Sequence, residues 1–451
     1  MDPSNPGIAQ EDSVKAIHDI YANIGFRPPP KQFTILASFY MINQISIVEV
    51  ICKPVSLATG TKCTPAIKYS PCGELMHDTH AEVLARRGAV RWLMEEIGRL
   101  RTAKQYVSDW LVETGSKDQN DSDESPPYRL RPDVSLHMYV STLPCKAASC
   151  LLPLWLVLTI YQGGDASMGY LAATQDAQVA LLKSQSAHLF PKLRSHEASR
   201  GRDDYNRLGV LRTKPGRADS PPALSMSCSD KIAKWSVLGI LGGFASRFLE
   251  PVYIESIVIG EFPQNEEEKS PLRELVKGDC ERALRTRIGK IEGLPEGYAV
   301  HPPDIRFTNI PFIHSKTELD KVMRTAGSCN ESLCWLADSR PPEILINGLK
   351  RSTAPKNRYV EKYRPLLSRI AMFNLYNQTL QVLGSRDYPL PDNLSYGGAK
   401  ANSTRYQRAK TALTGPNGPF SGWIRVEPRY QHFTLQGNFN TPPTILSSSS
   451  T

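Results

Sequence analysis

The sequence predicts a layered α/β protein, on three observations. Short runs such as "QISIVEV" alternate β-branched and polar residues as half-buried strands do. Between Ala81 and Leu100 apolar residues instead recur at threes and fours, the spacing of one helix face. Strand-like and helix-like stretches then alternate along the chain, the order that buries a sheet under helices.

Taken in order, Ala16–Ile24 reads as a short helix and "FTILASFYMI" (Phe33–Ile42) as a buried one. "QISIVEVICKPVSLATGTKC" reads as strand, turn and strand, with its alternation before Gly60. From Thr79 the pattern turns helical. Ala81, Leu84, Val90, Leu93, Ile97 and Leu100 share a face, Arg87 takes the missing step, and Thr79 or Asp78 is the expected N-cap. "GSKDQNDSDESPP" (Gly115–Pro127) is acidic and polar and reads as a disordered loop. "SLHMYVST" reads as a strand running into Pro144 and Cys145, and polar 184–207 as a loose connection. "KIAKWSVLGILGGFASRFL" (Lys231–Leu249) is a buried helix softened by glycines, followed by the strand "VYIESIVIG". Strands follow around Trp335 and "EILING", helices around Arg364–Leu383 and Ser403–Leu413, and the tail "TPPTILSSSST" reads as disordered. There is no internal repeat. Residues 1–30 are expected as an N-terminal helical segment and 31–437 as one domain carrying 115–127, 146–163 and 184–207 as insertions. Residues 438–451 are the tail.

Composition narrows the function. Forty percent apolar and 22% charged residues over 451 describe a globular chain with a sizeable core. Lysine and arginine exceed aspartate and glutamate by 54 − 45 = 9, which favours polyanionic partners such as nucleic acid or inositol phosphates. Nine cysteines, an odd number widely spread, fit reduced thiols in an intracellular compartment, nuclear or cytoplasmic. The acidic, polar start "MDPSNPGIAQEDS" is no signal peptide. The apolar run Leu151–Tyr161 is too short, and broken by proline, to span a membrane.

Three segments carry chemistry together: "THAE" (Thr79–Glu82), "STLPC" (Ser141–Cys145) and "MSCSDK" (Met226–Lys231). One histidine and two cysteines suit zinc, because three protein ligands leave a fourth position for water. Taken singly, His80 is more often a surface or core histidine and Cys228 a small buried hydrophobe. Cys145 and Cys150 are separated by four residues rather than the two of a Pro-Cys-x-x-Cys pair, which directs the third ligand to Cys228. Glu82 would not bind the metal but would move protons. If His80 and Cys145 each open a helix, the helix dipoles favour negative charge beside the metal.

"ATGTKC", "HDTHAEVLARR", "STLPC", "GDASM", "MSCSDKIAKWSVLGI" and "KANSTRYQRAK" resemble, in order, the tRNA-specific adenosine deaminase family, related to the catalytic domain of the dsRNA adenosine deaminases. The resemblance spans roughly residues 33–435. It implies a cytidine-deaminase-like α/β/α three-layer sandwich with a C-terminal α+β extension. It also implies His80, Cys145 and Cys228 as zinc ligands and Glu82 as proton shuttle. The reaction implied is hydrolytic conversion of adenosine to inosine, next to the anticodon of tRNA-Ala, by a monomer without membrane association.

By the same resemblance a buried inositol hexakisphosphate is held by Arg86, Arg87, Lys231, Lys234, Lys350, Tyr396, Lys400, Tyr406, Lys410 and Trp423. So many cations can share a core only around a dense anion. Asp78 and Lys214 would relay hydrogen bonds between anion and metal. Pairing of Arg86 with Glu82 at i,i+4 is the ordinary alternative, but it would neutralise the catalytic acid. The chain departs from the dsRNA relatives at His77, Lys234 and Gly243, where they carry asparagine, arginine and serine. Lys146–Gly163 interrupts a Pro-Cys-Gly-Asp-Ala-Ser run. Its removal restores "STLPCGDASM", so it reads as a translated intron or gene-model error. A tRNA-binding protein impaired by that insertion, or a deaminase of another RNA adenosine, are the competing functions.

Overall fold

Strand β1 (Leu36–Gln44) organises the molecule because both of its faces are buried. In the computed structural model, which describes residues 6–46, 49–103, 105–115, 125–142, 198–200, 208–215, 220–260, 271–322 and 326–436, Ala37, Phe39 and Met41 face one apolar core. Leu36 and Tyr40 face a second. This corrects the helix expected over Phe33–Ile42. A strand covered on both sides reads as a continuous apolar run, and periodicity cannot distinguish it from a buried helix.

Seven further strands complete the sheet: β2 (Val50–Thr59), β3 (Val134–Val140), β4 (Ile254–Ile259), β5 (Asp304–Phe307), β6 (Glu331–Leu336), β7 (Glu343–Ile346) and β8 (Leu349–Lys350). Their order is β5-β4-β3-β1-β2-β6-β7-β8. β3, β4 and β5 run parallel, and every other neighbouring pair is antiparallel. Helix α1 (Pro6–Ile24), longer than the expected Ala16–Ile24, lays Val14, Ile17 and Tyr21 on Leu36, Tyr40 and Tyr139. The opposite face takes α2 (Ala81–Thr102) and α3 (Cys228–Leu238), where Trp235 meets Phe39 edge-on at 6.3 Å. Helix, sheet and helix make the three layers expected.

Leu84, Leu93 and Ile97 of α2 are fully buried as the spacing predicts, each stabilising the fold by about 1.5–3 kcal/mol. The helix begins one or two residues later than the expected N-cap, Thr79 or Asp78, with His80 as N-cap and Asp78–His80 drawn into a short antiparallel ladder with Thr61–Cys63. Gly60 permits that ladder: at φ +154°, a Cβ there would lie 1.9 Å from the Thr79 carbonyl oxygen. The single helix expected over Lys231–Leu249 is two, because Gly239 (φ +61°) ends α3 against Val252 and a short turn of helix resumes at Gly242–Ala245. The C-terminal helices α4 (Arg369–Val382), α5 (Tyr396–Ala401) and α6 (Thr404–Thr414) gather against α2, α3 and the Gly242–Ala245 turn.

Cys145 and the insertion Lys146–Gly163 lie outside the described residues. So do most of 115–127 and 184–207 and the tail 438–451. No helix among the described residues is long and apolar enough to cross a membrane.

Candidate active site

Two helix starts meet here. His80 caps α2 and Cys228 opens α3, where the Ser227 hydroxyl accepts from the Asp230 amide at 3.1 Å. Positive helix ends face both side chains and favour negative charge between them. The strand leading to Cys145 is fixed nearby in sequence, since Ser141 exchanges hydrogen bonds with Leu36 (2.8 Å and 3.0 Å).

Asp78 joins the two helix starts. Its Oδ1 accepts from His80 Nδ1 at 2.6 Å and from the His80 amide at 3.0 Å. Its Oδ2 lies 3.0 Å from Lys214 Nζ, and that ammonium also lies 3.0 Å from Cys228 Sγ. Lys231 forms a second ion pair with Oδ2, and the Ser225 hydroxyl bridges the two at 2.7 Å from each. Burial alone would raise the Asp78 carboxyl, but Lys214, then Lys231 and His80, hold it well below the usual carboxylate range. An ionised Asp78 bound to Nδ1–H leaves the lone pair of the ring on Nε2, the ligand tautomer.

Glu82, in the first turn of α2, is 1% exposed, and its Oε2 is buried without a hydrogen-bond partner. Arg86 does not pair with it, so the i,i+4 alternative is not what forms. A buried, unpartnered carboxylate oxygen on the residue two beyond His80 is costly unless something fills the space before it. A histidine nitrogen, a cysteine sulfur contacted by lysine and an orphaned carboxylate suit a small cation with a bound water. Of the three expected ligands, His80 and Cys228 are thus brought together through Asp78 and Lys214, and Cys145 is outside the described residues.

One or two turns further along, the same helices carry cations: Arg86 and Arg87 on α2, Lys231 and Lys234 on α3. Lys400 from α5, Lys410 from α6 and Arg369 from α4 join them. Among the described residues only Lys231 of these seven pairs with a carboxylate. Burial and then Lys410, Lys400, Arg86 and Lys231 push the Lys234 ammonium well below its ordinary range. Lys410 is lowered to about 8 by burial, Lys400 and Arg425. Burial lowers Arg86, whose Nε has no partner. Tyr396 is lowered by Lys400, Arg369 and Arg87 against the opposing effect of burial. Aromatic faces supply partial compensation: Lys234 lies 4.4 Å from the Trp423 ring centre, Lys400 5.1 Å from Tyr396 and Arg86 5.9 Å from Trp235. Tyr406 is buried beside Arg86. Gly243 packs on Lys400, where a Cβ would come within 3.3 Å.

Arg87, Lys231, Arg369, Trp423 and His77 line one cavity. His77 stacks on Tyr69 at 3.6 Å, and its Nδ1 accepts from Arg369 at 3.1 Å. Lys350 is placed differently from the expectation. It stands on the outer strand β8, ion-paired to Glu343 at 2.6 Å. Sequence reasoning missed Arg369 and Ser225. The signal for Arg369 was present, for it is a lone cation in the first turn of a helix capped by Ser368, where the dipole disfavours positive charge.

The family model described as the adenosine-deaminase (editase) domain matches residues 56–427. The chain is 33% identical over 344 residues to the tRNA-specific adenosine deaminase 1 of Schizosaccharomyces pombe, covering 74% of this chain and 75% of that one. To the mouse protein of the same name it is 26% identical over 498 residues, covering 90% and 95%. It is also 28% identical over 395 residues to the mouse double-stranded RNA-specific adenosine deaminase, covering 85% of this chain but 29% of that one.

Proposed function

The chain belongs to the adenosine-deaminase (editase) domain family, and from that premise we propose that it converts adenosine to inosine in tRNA, at the base beside the anticodon of tRNA-Ala. Residues 31–437 would act as the catalytic unit of a monomer.

The observation that carries the reading is the orphaned Glu82 carboxylate, buried beside a His80 whose tautomer Asp78 sets. His80, Cys228 and Cys145 would hold zinc, which when bound supplies the Lewis acidity that makes water nucleophilic near neutral pH. Glu82 Oε2 would take one proton from the attacking water as it adds to C6 of adenine. It would hand that proton to ring N1, then take the proton of the new C6 hydroxyl and give it to the departing amine, so that adenosine and water give inosine and ammonia. Lys214 neutralises Asp78 and steadies the Cys228 sulfur. The target base must be unstacked to reach a carboxylate this deep, which suits an anticodon loop better than a duplex interior.

The uncompensated cations support a second bound group, an inositol polyphosphate. Arg86, Arg87, Lys231, Lys234, Lys400, Lys410 and Arg369 with Tyr396, Tyr406 and Trp423 would hold it, while Lys350 stays with Glu343. Seven cations gathered in one interior are prohibitive without an anion.

The test is one purified sample assayed three ways: inosine released from tRNA-Ala by nuclease digestion and mass spectrometry, zinc by elemental analysis, and inositol phosphate after acid extraction. Inosine beside the anticodon with one zinc per chain is the expected result. Zinc-free protein of full activity would remove the metal from the reading, and inosine absent with zinc present would remove the activity.

A further inference from the structure

The segment "KRSTAPKNRYVEKYR" (Lys350–Arg364) carries six basic residues against the single acid Glu361. It contributes no core. It follows β8 as a strap of two short turns, Pro355–Asn357 and Glu361–Tyr363. Arg351, Lys356 and Lys362 are exposed, as are Tyr359 (49%) and Val360 (50%).

Rigidity comes from below. Arg358 grips the buried Glu74 carboxylate through Nε at 2.8 Å and Nη2 at 2.5 Å. Arg364 donates to the Tyr359 carbonyl at 2.7 Å and 3.1 Å, and Lys350 is held by Glu343. Lys356 and Lys362 have no carboxylate partner among the described residues. The strap is also tied to the site, for Glu74 precedes Asp78 by four residues and the Met76 amide donates to the Gly348 carbonyl at 2.9 Å.

We infer that this strap is a contact surface for the substrate RNA strand, with phosphates on Lys356 and Lys362 and a loop base stacked on Tyr359. Lysines beside a half-exposed tyrosine ring, over which the Arg358 guanidinium lies 5.2 Å from the centre, match single-stranded nucleic acid, in which every phosphate is charged and every base has a π-face. An acidic protein partner would use the charges but leaves the tyrosine face unexplained. The inference rests on the proposed action on tRNA.

The test is tRNA affinity against salt, in a Glu82→Gln background so that the substrate stays intact. Lys356→Ala with Lys362→Ala should weaken binding and reduce the log–log salt slope by about 1.4, two phosphate contacts at about 0.7 each. Tyr359→Ala should weaken binding about fivefold to a hundredfold, as loss of one base–aromatic stack does, with the slope unchanged. If the parent binds tRNA and these variants match it in affinity and slope, the strap is not the RNA surface and the deaminase reading stands. If the parent itself does not bind tRNA, both fall.

Discussion

Lys214 Nζ lies 3.0 Å from Cys228 Sγ and 3.0 Å from Asp78 Oδ2, so one 2%-exposed ammonium serves a sulfur and a carboxylate from distant parts of the chain. Removing it leaves Asp78 with Lys231, Ser225 and His80 but takes one of the two ammonium groups from that buried carboxylate and the ammonium from beside the Cys228 sulfur. Lys214→Ala should lower the zinc-to-protein ratio and destabilise the fold by up to about 3 kcal/mol, since a buried carboxylate loses one of its ion-pair partners. Elemental analysis with denaturant unfolding checks this, and unchanged zinc content and stability would refute the assignment.

Glu82→Gln is isosteric, so it should keep the fold and the zinc while cutting inosine formation by about a hundredfold or more, the scale of a lost proton carrier. A single-turnover assay measures it. A variant that edits at near wild-type rate would remove Glu82 from the reaction.

Lys400→Glu with Lys410→Glu should lower soluble yield and inositol phosphate content together, because the proposed anion loses two partners and meets two like charges. The decisive outcome against this is a normally folded double variant with full inositol phosphate content and weakened tRNA binding alone. Those lysines would then belong to an RNA surface.

The cluster also predicts a pH dependence. In the chain without anion, Lys410 is lowered from 10.5 to about 8. Between those values the unfolded chain holds a proton that the folded chain has released, so stability rises with pH across that window. Below about pH 8 the penalty is complete. Protein stripped of anion should therefore melt higher at pH 10 than at pH 8, and added inositol hexakisphosphate should raise the midpoint most at the lower pH. A flat melting profile, unmoved by the added anion, would count against a buried polyanion site.

Gly60→Ala should unfold the Thr61–Cys63/Asp78–His80 ladder, for its Cβ would collide with the Thr79 carbonyl oxygen at a φ of +154°. Loss of zinc should accompany loss of stability. Gly98→Ala, in α2 with nothing within 4 Å, should instead stabilise by about 0.5–1 kcal/mol. If Gly60→Ala is as stable as Gly98→Ala, the close approach is misplaced.

The sequence determined what repeats locally. The phase of α2 puts Glu82, Arg86 and Arg87 within two turns of His80, and α3 spaces Cys228, Lys231 and Lys234 in the same way, so ligands and cations are legible from helix geometry once residue types are noted. Tertiary structure decided the rest. Leu36–Gln44 is a strand because α1 and α2 cover both its faces, and burial on both sides erases the period that would have announced it. Lys214 reaches Asp78 across 136 residues, Arg369 enters the cationic cavity, and Lys350 stays with Glu343. No local spacing encodes these partners. Which of several basic residues enters an interior is settled only when the layers pack and each charge finds, or fails to find, an acid nearby.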